Sequence, residues 1–216
     1  HPPLHERVEL EGLAKRLQGR KIWLAASTHL GEESIAANAH RIVRRAAHRL
    51  LLIIAPRHPE RGPKIAETLR KEGWGVALRS QDDALGEDCD IYIADTLGEM
   101  GLWYRLAPLS FVGGSLVQIG GHNPFEPAAL GSAIVHGPHV QNFYDAYARL
   151  DGAGGALKVT DMQALANAVQ DLLHPERAAK LAHAAWDVSS QGAVVTNRTL
   201  QLIKATLEKG GSHAAS

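Results

Sequence analysis

Two glycine pairs near the middle of the chain bring backbone amides and polar side chains close together. Residues 109–112 form a short apolar segment that ends in Gly113 and Gly114. A glycine pair lets the backbone turn sharply and removes side chains that would keep a ligand away. A second pair, Gly120 and Gly121, follows six residues later. The pattern predicts a strand that runs into a turn where backbone N–H groups meet an anion.

The residues after the second glycine pair predict the start of a helix. Asn123 suits an N-cap, Pro124 suits the first helical position, and Glu126 stands where it would complete a capping box. The predicted helix ends at Gly131. Free N–H groups and the positive end of the helix dipole favour a phosphate at such a start. The simpler alternative is that the glycines only allow close packing and that Glu126 only caps the helix.

The rest of the chain alternates apolar strand segments with helical segments. This alternation predicts an α/β fold, a Rossmann-like parallel sheet with helices on both faces. The predicted strands cover residues 22–26, 49–55, 75–79, 90–94, 109–112, 132–136 and 157–159. The predicted helices cover residues 6–17, 32–48, 63–72, 98–106, 124–130, 142–150 and 161–173, one from 175 and one over 193–207.

Polar residues follow most of these strands directly, at their carboxyl ends. Because crossovers in a parallel sheet are right-handed, all such ends lie on one side, where ligands bind in open α/β folds. We therefore expect one shared rim. Its members are Ser27, Arg57, Glu99, Ser115, Asn123, Glu126 and Gly137.

Each rim residue also has a structural alternative. Ser27 or Thr28 could cap the following helix, Arg57 could be a solvated loop charge, and Glu99 could complement a helix dipole. Taken together, the helix starts and Arg57 suit a phosphate, while Glu99 or Glu126 could accept hydrogen bonds from a ribose diol. A nucleoside monophosphate fits this mixture.

The composition narrows the functional classes. The 216 residues carry a formal net charge of +0, which gives no sign of nucleic-acid binding. The single cysteine, Cys89, excludes an internal disulfide and suits a reducing compartment, and the 12 histidines lack zinc-type spacing. No run approaches the ~20 apolar residues of a membrane span, and no signal peptide is predicted. A Gly-x-x-x-x-Gly-Lys-Ser/Thr loop is absent from the sequence, and the first turn has no Gly-x-Gly-x-x-Gly.

Three motifs together resemble a known family. Residues 111–116 (Phe-Val-Gly-Gly-Ser-Leu), 120–124 (Gly-Gly-His-Asn-Pro) and 137–139 (Gly-Pro-His) resemble the sugar-nucleotide half of 3-deoxy-D-manno-octulosonic acid (Kdo) transferases. The resemblance extends over about residues 23–160. It implies the C-terminal half of a B-type, two-domain glycosyltransferase that moves Kdo from CMP-Kdo to a lipid A precursor in lipopolysaccharide synthesis. It also implies an inverting transfer without metal or cofactor.

The resemblance further implies which residues hold CMP, the leaving group of the donor. Arg57 is expected to stabilise the leaving phosphate, and the loop at Gln118 and Ile119 lacks a basic residue that related sequences often carry. No residue of this chain is expected to be the catalytic base. The implied donor-binding residues are Ser27, Thr28, Pro56, Arg57, Leu97, Gly98, Glu99, Gly114, Ser115, Gly121, His122, Asn123, Pro124, Phe125 and Glu126.

The same resemblance implies a domain organisation for the chain. Residues 1–20 are expected to lead in from an N-terminal domain, 21–190 to form the nucleotide-sugar domain, 191–209 a C-terminal helix and 210–216 a disordered tail. That N-terminal domain would supply the base, the lipid A precursor site and the membrane contact. The full-length parent would then act at the cytoplasmic face of the bacterial inner membrane, whereas this fragment alone would be soluble.

Rival interpretations remain open at this point. Another B-type glycosyltransferase or a UDP-sugar epimerase would share the domain plan and differ in the base recognised. A non-catalytic nucleotide-binding module, or an α/β domain with only a structural role, would also fit the strand and helix pattern.

Overall fold

A computed structural model of the chain describes residues 4–191, and side chains from residue 7 onward. The predicted helix over 193–207 and the predicted tail over 210–216 lie outside the described residues. The strands are β1 (Ile22–Thr28), β2 (Leu51–Pro56), β3 (Val76–Leu78), β4 (Ile91–Ile93), β5 (Leu109–Val112), β6 (Ala133–His136) and β7 (Ala156–Lys158). The helices are α1 (Leu4–Arg16), α2 (Glu32–Arg44), α3 (Gly62–Lys71), α4 (Met100–Leu106), α5 (Phe125–Ala129), α6 (Tyr144–Gly152), α7 (Met162–Leu172) and α8 (175–191).

The strands form one sheet of seven parallel strands in the order β3-β4-β2-β1-β5-β6-β7. Every residue of β2 is buried, as its unbroken apolar run predicts for a central strand covered on both faces. The predicted Rossmann-like architecture is confirmed.

Alternate residues of the central strands pack into two separate cores. Leu52 and Ile54 of β2 face the core shared with α2, α3 and α7. Leu51 and Ile53 face the opposite core, which includes Leu13 of α1 and Trp103 of α4. The period of two along a strand therefore places helices on both faces of the sheet. Helix α1, within the predicted lead-in, contributes to this domain's own core.

The order in which the chain adds strands reverses at the centre of the sheet, between β1 and β5. The connection after β1 leads towards β2, and the connection after β5 leads to the other half through β6. Because β1 and β5 are neighbours, the topology predicts a ligand crevice between their carboxyl ends, the usual position in such folds. The register aligns Thr28 with Pro56, and Val112 with His136, at the same edge.

Some helix boundaries differ from the prediction. Helix α2 ends at Arg44 rather than near residue 48, and Arg49 then adopts a positive φ of 64° before β2. Helix α4 begins at Met100, with Glu99 as its N-cap, because Asp95 accepts hydrogen bonds from Ser80 instead of capping the helix. Within residues 4–191 no helix has both the length and the apolar character needed to cross a bilayer.

Candidate functional site

The carboxyl ends of the strands meet along one edge of the sheet, as expected. The backbone N–H of Arg57 donates to the Thr28 carbonyl at 3.0 Å, which joins the loop after β2 to the end of β1. The N–H of Gly113 donates to the Ala26 carbonyl at 2.7 Å, which joins the loop after β5 to the same strand. Three loops that are distant in sequence therefore lie beside one another.

The first glycine turn is already filled by a carboxylate from within the chain. Glu32, which is fully buried, accepts through one oxygen from the N–H groups of Gly114 (2.7 Å) and His29 (2.9 Å). Its other oxygen accepts from Ser115 (3.1 Å) and Leu116 (3.0 Å). The expectation of free N–H groups at this turn is therefore wrong. The turn binds an anion, but that anion is Glu32.

The second glycine pair fixes its loop against two neighbours. The Gly121 N–H donates to the Gly114 carbonyl at 2.8 Å, and the Asn142 N–H donates to the Gly120 carbonyl at 3.0 Å. Gly120 has a φ of +107°, and a β-carbon there would lie 2.3 Å from the Asn142 side-chain nitrogen. The pair is needed for close approach, so the packing alternative holds at Gly120.

The Asn123 segment does begin a helix, although a shorter one than predicted. The N-cap of α5, which spans Phe125–Ala129, is Pro124, so the predicted Asn123 cap and the predicted first-turn place of Pro124 are each off by one residue. Asn123 stands before the cap, where its side-chain oxygen accepts from the Phe125 N–H at 3.0 Å. Glu126 is exposed, and its side chain makes no hydrogen bond or ion pair within residues 4–191. The predicted capping box is therefore not formed, and the Glu126 carboxylate faces solvent at the rim.

The arginines that follow β2 and β3 differ in what they already bind. Arg61 holds Glu33 through two hydrogen bonds of 2.8 and 3.2 Å. Arg79 holds Glu99 in the same two-bond manner, at 2.7 and 3.2 Å, and also contacts Glu9. Both charges are thus compensated by carboxylates of the fold.

Arg57 is different from both. Its side chain is exposed and forms no hydrogen bond or ion pair with any residue in the described part of the chain. Its positive charge is nevertheless close enough to His122 to help lower the pKa of that imidazole. Arg57 is therefore a cation at the rim whose planar guanidinium remains available to a phosphate or carboxylate.

Three of the expected site residues have structural partners instead of free polar atoms. The buried Thr28 hydroxyl donates to Glu33 at 3.0 Å. The buried Ser115 hydroxyl donates to the Val112 carbonyl at 2.5 Å and accepts from the Gly137 N–H at 2.8 Å. Glu99 accepts from Arg79 and from the Thr96 hydroxyl, so its carboxylate has little capacity left for a ribose.

Three other expected residues, Ser27, Leu97 and Gly98, are at least partly exposed, and two of them have a positive φ. Ser27 lies at a β-bulge between Ala26 and Thr28 and has a φ of +53°, a left-handed conformation that is costly for serine. It does not cap α2, whose N-cap is Gly31. Leu97 is 82% exposed at the rim, and the neighbouring Gly98 has a φ of +82°. An apolar side chain so exposed at this edge of the sheet is suited to contact a flat ring.

A histidine cluster lies between these loops, and sequence reasoning identified only one of its members. The Nε2 atoms of His29 and His122 are 2.8 Å apart, and the two rings lie edge to edge and nearly parallel, with centroids 5.1 Å apart. His58 packs edge-on against His29 at 5.9 Å. Burial, followed by the charges of His29, Arg57 and His58, lowers the pKa of His122 to about 4. Burial is also the main reason that the pKa of His29 is lowered.

The cluster does not resemble a metal centre. Within residues 4–191, no group of three or more histidine, cysteine, aspartate or glutamate side chains is arranged to hold a metal ion. The signal that could have identified His29 was its place directly after β1, next to Ser27 and Thr28. The remaining residues expected to bind the donor are buried or half-buried within these loops. They are Pro56, Gly121, Pro124 and Phe125.

Comparisons with known proteins show which proteins the chain resembles. No protein-family model matches the chain. The chain is 38% identical over 194 residues, 89% of its length, to the 3-deoxy-D-manno-octulosonic acid transferase of Haemophilus influenzae, and spans 45% of that relative. It is 30% identical to the C-terminal CMP-Kdo binding domain of WaaA from Acinetobacter baumannii, with a TM-score of 0.80 and coverage of 86% of this chain and 98% of that one.

A more distant match shows the fold alone. A putative UDP-N-acetylglucosamine 2-epimerase from Listeria monocytogenes is 18% identical, with a TM-score of 0.58 and coverage of 97% of this chain and 48% of that one. Such a likeness indicates the shared domain architecture and says nothing about the nucleotide. The chain thus spans about half the length of these two relatives.

Proposed function

Because this chain belongs to the 3-deoxy-D-manno-octulosonic acid (Kdo) transferase family, we propose that it holds the donor CMP-Kdo for transfer of Kdo to a lipid A precursor. The nucleotide would bind in the crevice between β1 and β5, against the loops that follow β1, β2, β4 and β5. The general base, the acceptor site and the contact with the bacterial inner membrane are assigned to the part of the relatives that this chain does not cover.

The observation that supports this proposal most directly is the unpaired guanidinium of Arg57. A buried or paired arginine would contribute structure, as Arg61 does with Glu33. Arg57 instead presents two parallel donors at the carboxyl edge of the sheet without a protein acceptor among the described residues. A phosphate in the crevice would supply that acceptor.

The leaving group explains why a free cation is useful here. Transfer breaks the bond between the anomeric carbon of Kdo and a phosphate oxygen, and the bonding electrons remain on that oxygen as CMP leaves. The acceptor hydroxyl forms the new bond to carbon and gives its proton to the base. Since negative charge grows on the phosphate during bond breaking, Arg57 would stabilise the transition state more than the bound donor.

The nucleoside part would be held by different residues from the phosphate. The exposed Glu126 carboxylate at the start of α5 can accept hydrogen bonds from a ribose diol. The exposed side chain of Leu97 can pack against the cytosine ring. We assign Glu126 rather than Glu99 to the ribose, because Glu99 is held by Arg79.

The proposal is tested by titrating the 216-residue chain with CMP, UMP, UDP and cytidine in a calorimeter. We expect CMP to bind, more tightly than either uridine nucleotide and more tightly than cytidine, which lacks the phosphate. We also expect no turnover of CMP-Kdo with a lipid A precursor by this chain alone. A preference for UMP or UDP would contradict the assignment and favour a uridine-nucleotide enzyme with the same fold.

A further inference from the structure

Tyr147 of α6 and Asn142, just before this helix, hold the loop that contains the second glycine pair, residues 119–123. The Gly120 carbonyl accepts from the Asn142 N–H at 3.0 Å, and the His122 carbonyl accepts from the Tyr147 hydroxyl at 2.9 Å. These two carbonyls of the second glycine loop therefore point towards α6 and the turn before it.

The opposite side of this loop faces the turn after β5. A trans peptide group carries its C=O and its N–H in opposite directions. In the peptide group between Gly120 and Gly121, the carbonyl meets Asn142, and the N–H donates to the Gly114 carbonyl at 2.8 Å. A loop carbonyl held on the α6 side thus leaves its N–H on the side of the first glycine turn.

The same geometry orients the peptide group between His122 and Asn123. Because Tyr147 binds its carbonyl, its N–H, which belongs to Asn123, points away from α6. This N–H has no acceptor in the part of the chain that the structure describes. Asn123 is exposed, so the N–H remains available to a ligand at the rim.

This peptide group lies close to the residues that follow β1 and β2. The Nε2 atom of His122 lies 2.8 Å from that of His29, directly after β1, and these two rings form a histidine pair. His58, which follows Arg57 in the sequence, packs edge-on against His29 with centroids 5.9 Å apart. The charge of Arg57 also helps to lower the pKa of His122. The Asn123 N–H is therefore near the place proposed for the phosphate.

We propose that Tyr147 is a positioning residue, whose hydroxyl orients the His122–Asn123 peptide group so that the Asn123 N–H donates to the phosphate of CMP. This inference rests on the proposed function, since CMP supplies the acceptor. If the peptide group were turned over, its carbonyl oxygen would face the phosphate and repel it. Tyr147 acts without touching the ligand, because its side chain is only 1% exposed.

Tyr147 is suited to this role because its position does not depend on a ligand. Its ring packs against the buried His136 ring with centroids 4.4 Å apart, and His136 in turn contacts Asp151 of α6 at 3.0 Å. A buried hydroxyl needs a hydrogen-bond partner, which here is the His122 carbonyl. The peptide group is thus held in place before CMP arrives, which reduces the entropy lost on binding.

Removal of the hydroxyl alone tests the proposal. Tyr147→Phe keeps the buried ring and frees the His122 carbonyl, so calorimetry on the 216-residue chain should show about tenfold weaker binding of CMP. Cytidine, which lacks the phosphate, should bind to Tyr147→Phe and to the unmodified chain equally well. General damage to the fold would instead weaken the binding of both ligands.

Ser132→Ala is the matched control. The Ser132 hydroxyl is also buried and donates to a backbone carbonyl, that of Ala107, at 2.9 Å. Ser132 and Ala107 precede β6 and β5, so this hydrogen bond lies at the opposite edge of the sheet from the rim. Ser132→Ala should lower the unfolding midpoint about as much as Tyr147→Phe does, but it should leave CMP affinity unchanged.

Nuclear magnetic resonance reports on the proposed donor directly. In the nitrogen-15-labelled chain, the Asn123 amide proton should move downfield when CMP binds, because it forms a hydrogen bond to the phosphate, and cytidine should cause a smaller change. In Tyr147→Phe saturated with CMP, this downfield movement should be reduced or lost. A hydroxyl with only a structural role would leave the response to CMP unchanged.

The possible outcomes separate the two proposals. If the unmodified chain binds CMP but its Asn123 amide does not respond, or if Tyr147→Phe binds CMP as tightly as the unmodified chain, the inference is overturned and the donor-binding function stands. An equal loss of CMP and cytidine affinity in Tyr147→Phe would also overturn it. If CMP does not bind to the unmodified chain, the proposed function is wrong and the inference is wrong with it. Should Tyr147→Phe not fold, the Asn123 response of the unmodified chain to CMP and to cytidine supports the inference or overturns it.

Discussion

The carboxylate of Glu32 lies 2.7 Å from the amide nitrogen of Gly114, across 82 residues of sequence. It receives three more N–H groups and is fully buried, so the turn after β5 is an anion site completed by the protein itself. The residues at the rim therefore differ in what they bind. Glu32 shapes the crevice by holding the β1 and β5 loops together, while Arg57 and the histidine pair are available to the ligand.

Replacing Glu32 should therefore damage the fold rather than only the ligand site. In Glu32→Gln, one carboxylate oxygen becomes an amide nitrogen that faces two N–H donors. Leaving buried donors unsatisfied costs about 1–3 kcal/mol each, so we expect a loss of about 2–4 kcal/mol in unfolding free energy. Denaturant unfolding measures this loss, and Glu72→Gln, at an exposed helix end, is the matched control.

The anion character of this turn can be tested separately with Glu32→Ala. Formate should bind in the space left by the side chain, accept from the same N–H groups and restore part of the lost stability, more so than chloride. If formate had no effect on the unfolding midpoint of Glu32→Ala, the turn would not be an anion site in its own right.

Arg57→Ala should weaken CMP binding without affecting the fold. An exposed side chain that has no partner in the described residues contributes little to stability, whereas a charged hydrogen bond to phosphate is worth about 1.5–3 kcal/mol. CMP affinity should therefore fall about 10- to 100-fold, with cytidine affinity unchanged. Calorimetry checks both, and Arg45→Ala, an exposed arginine after α2, should leave both affinities as they are. Unchanged CMP affinity in Arg57→Ala would remove Arg57 from the site.

Gly114→Ala should disturb the histidine pair. The added β-carbon would meet the His122 ring at 3.1 Å, at a φ of +66° that alanine adopts only with strain. Gly73→Ala introduces similar strain at a φ of +88° with no atom within 4 Å, after α3. Both should lose about 1–2 kcal/mol of stability, but only Gly114→Ala should also weaken CMP binding, by roughly tenfold. Equal CMP affinities in the two variants would show that the His122 ring position does not matter.

The stability of the domain should fall below neutral pH because of His40. This fully buried histidine accepts from the Trp23 indole at 3.1 Å, and burial, followed by the charge of Arg44, lowers its pKa to about 3. An unfolded histidine has a pKa near 6.5, so below that value the unfolded chain binds a proton that the folded chain does not. The stabilisation is complete above pH 6.5 and is lost as the pH falls towards 3, by about 2 kcal/mol at pH 5.

A variant without the titrating ring isolates this contribution. His40→Gln should be less stable than the unmodified chain at pH 8, and the difference should shrink by about 2 kcal/mol at pH 5. His48→Gln, at an exposed position, should show no such change with pH. A constant difference between His40→Gln and the unmodified chain from pH 8 to 5 would contradict the assignment to His40.

The sequence was informative where structure depends on near neighbours. The apolar run of β2 predicted a buried central strand, and the helix predicted over residues 161–173 is α7, whose N-cap Asp161 accepts from the Ala164 N–H at 2.8 Å. The convergence of the loops also followed, because parallel strands place all carboxyl ends on one edge.

What the sequence could not distinguish depends on contacts between distant segments. The sequence placed Arg57 at the rim, but it gave no sign that Arg61, four residues later, would meet Glu33 of α2. His29 and His122 are separated by 93 residues, so neither position suggests that the two rings are in contact. Nothing in the sequence indicated that Glu32, at the start of α2, would fill the glycine turn after β5, because the two segments are far apart along the chain. Arg57, the cation proposed to face the ligand, is left unpaired among the described residues after these contacts form.

Ser27 offers a direct test of whether strain at the crevice serves binding. Its φ of +53° costs a non-glycine residue about 1–3 kcal/mol, and its hydroxyl has no partner among the described residues. Ser27→Gly should therefore leave stability unchanged or raise it by up to about 1 kcal/mol, after the entropy of glycine in the unfolded chain is included. CMP affinity should nevertheless fall, as it should in Ser27→Ala, which keeps the strain. Asp82→Gly, at a φ of 52° after β3, should affect stability alone. If Ser27→Gly bound CMP as well as the unmodified chain, the hydroxyl would have no part in the site.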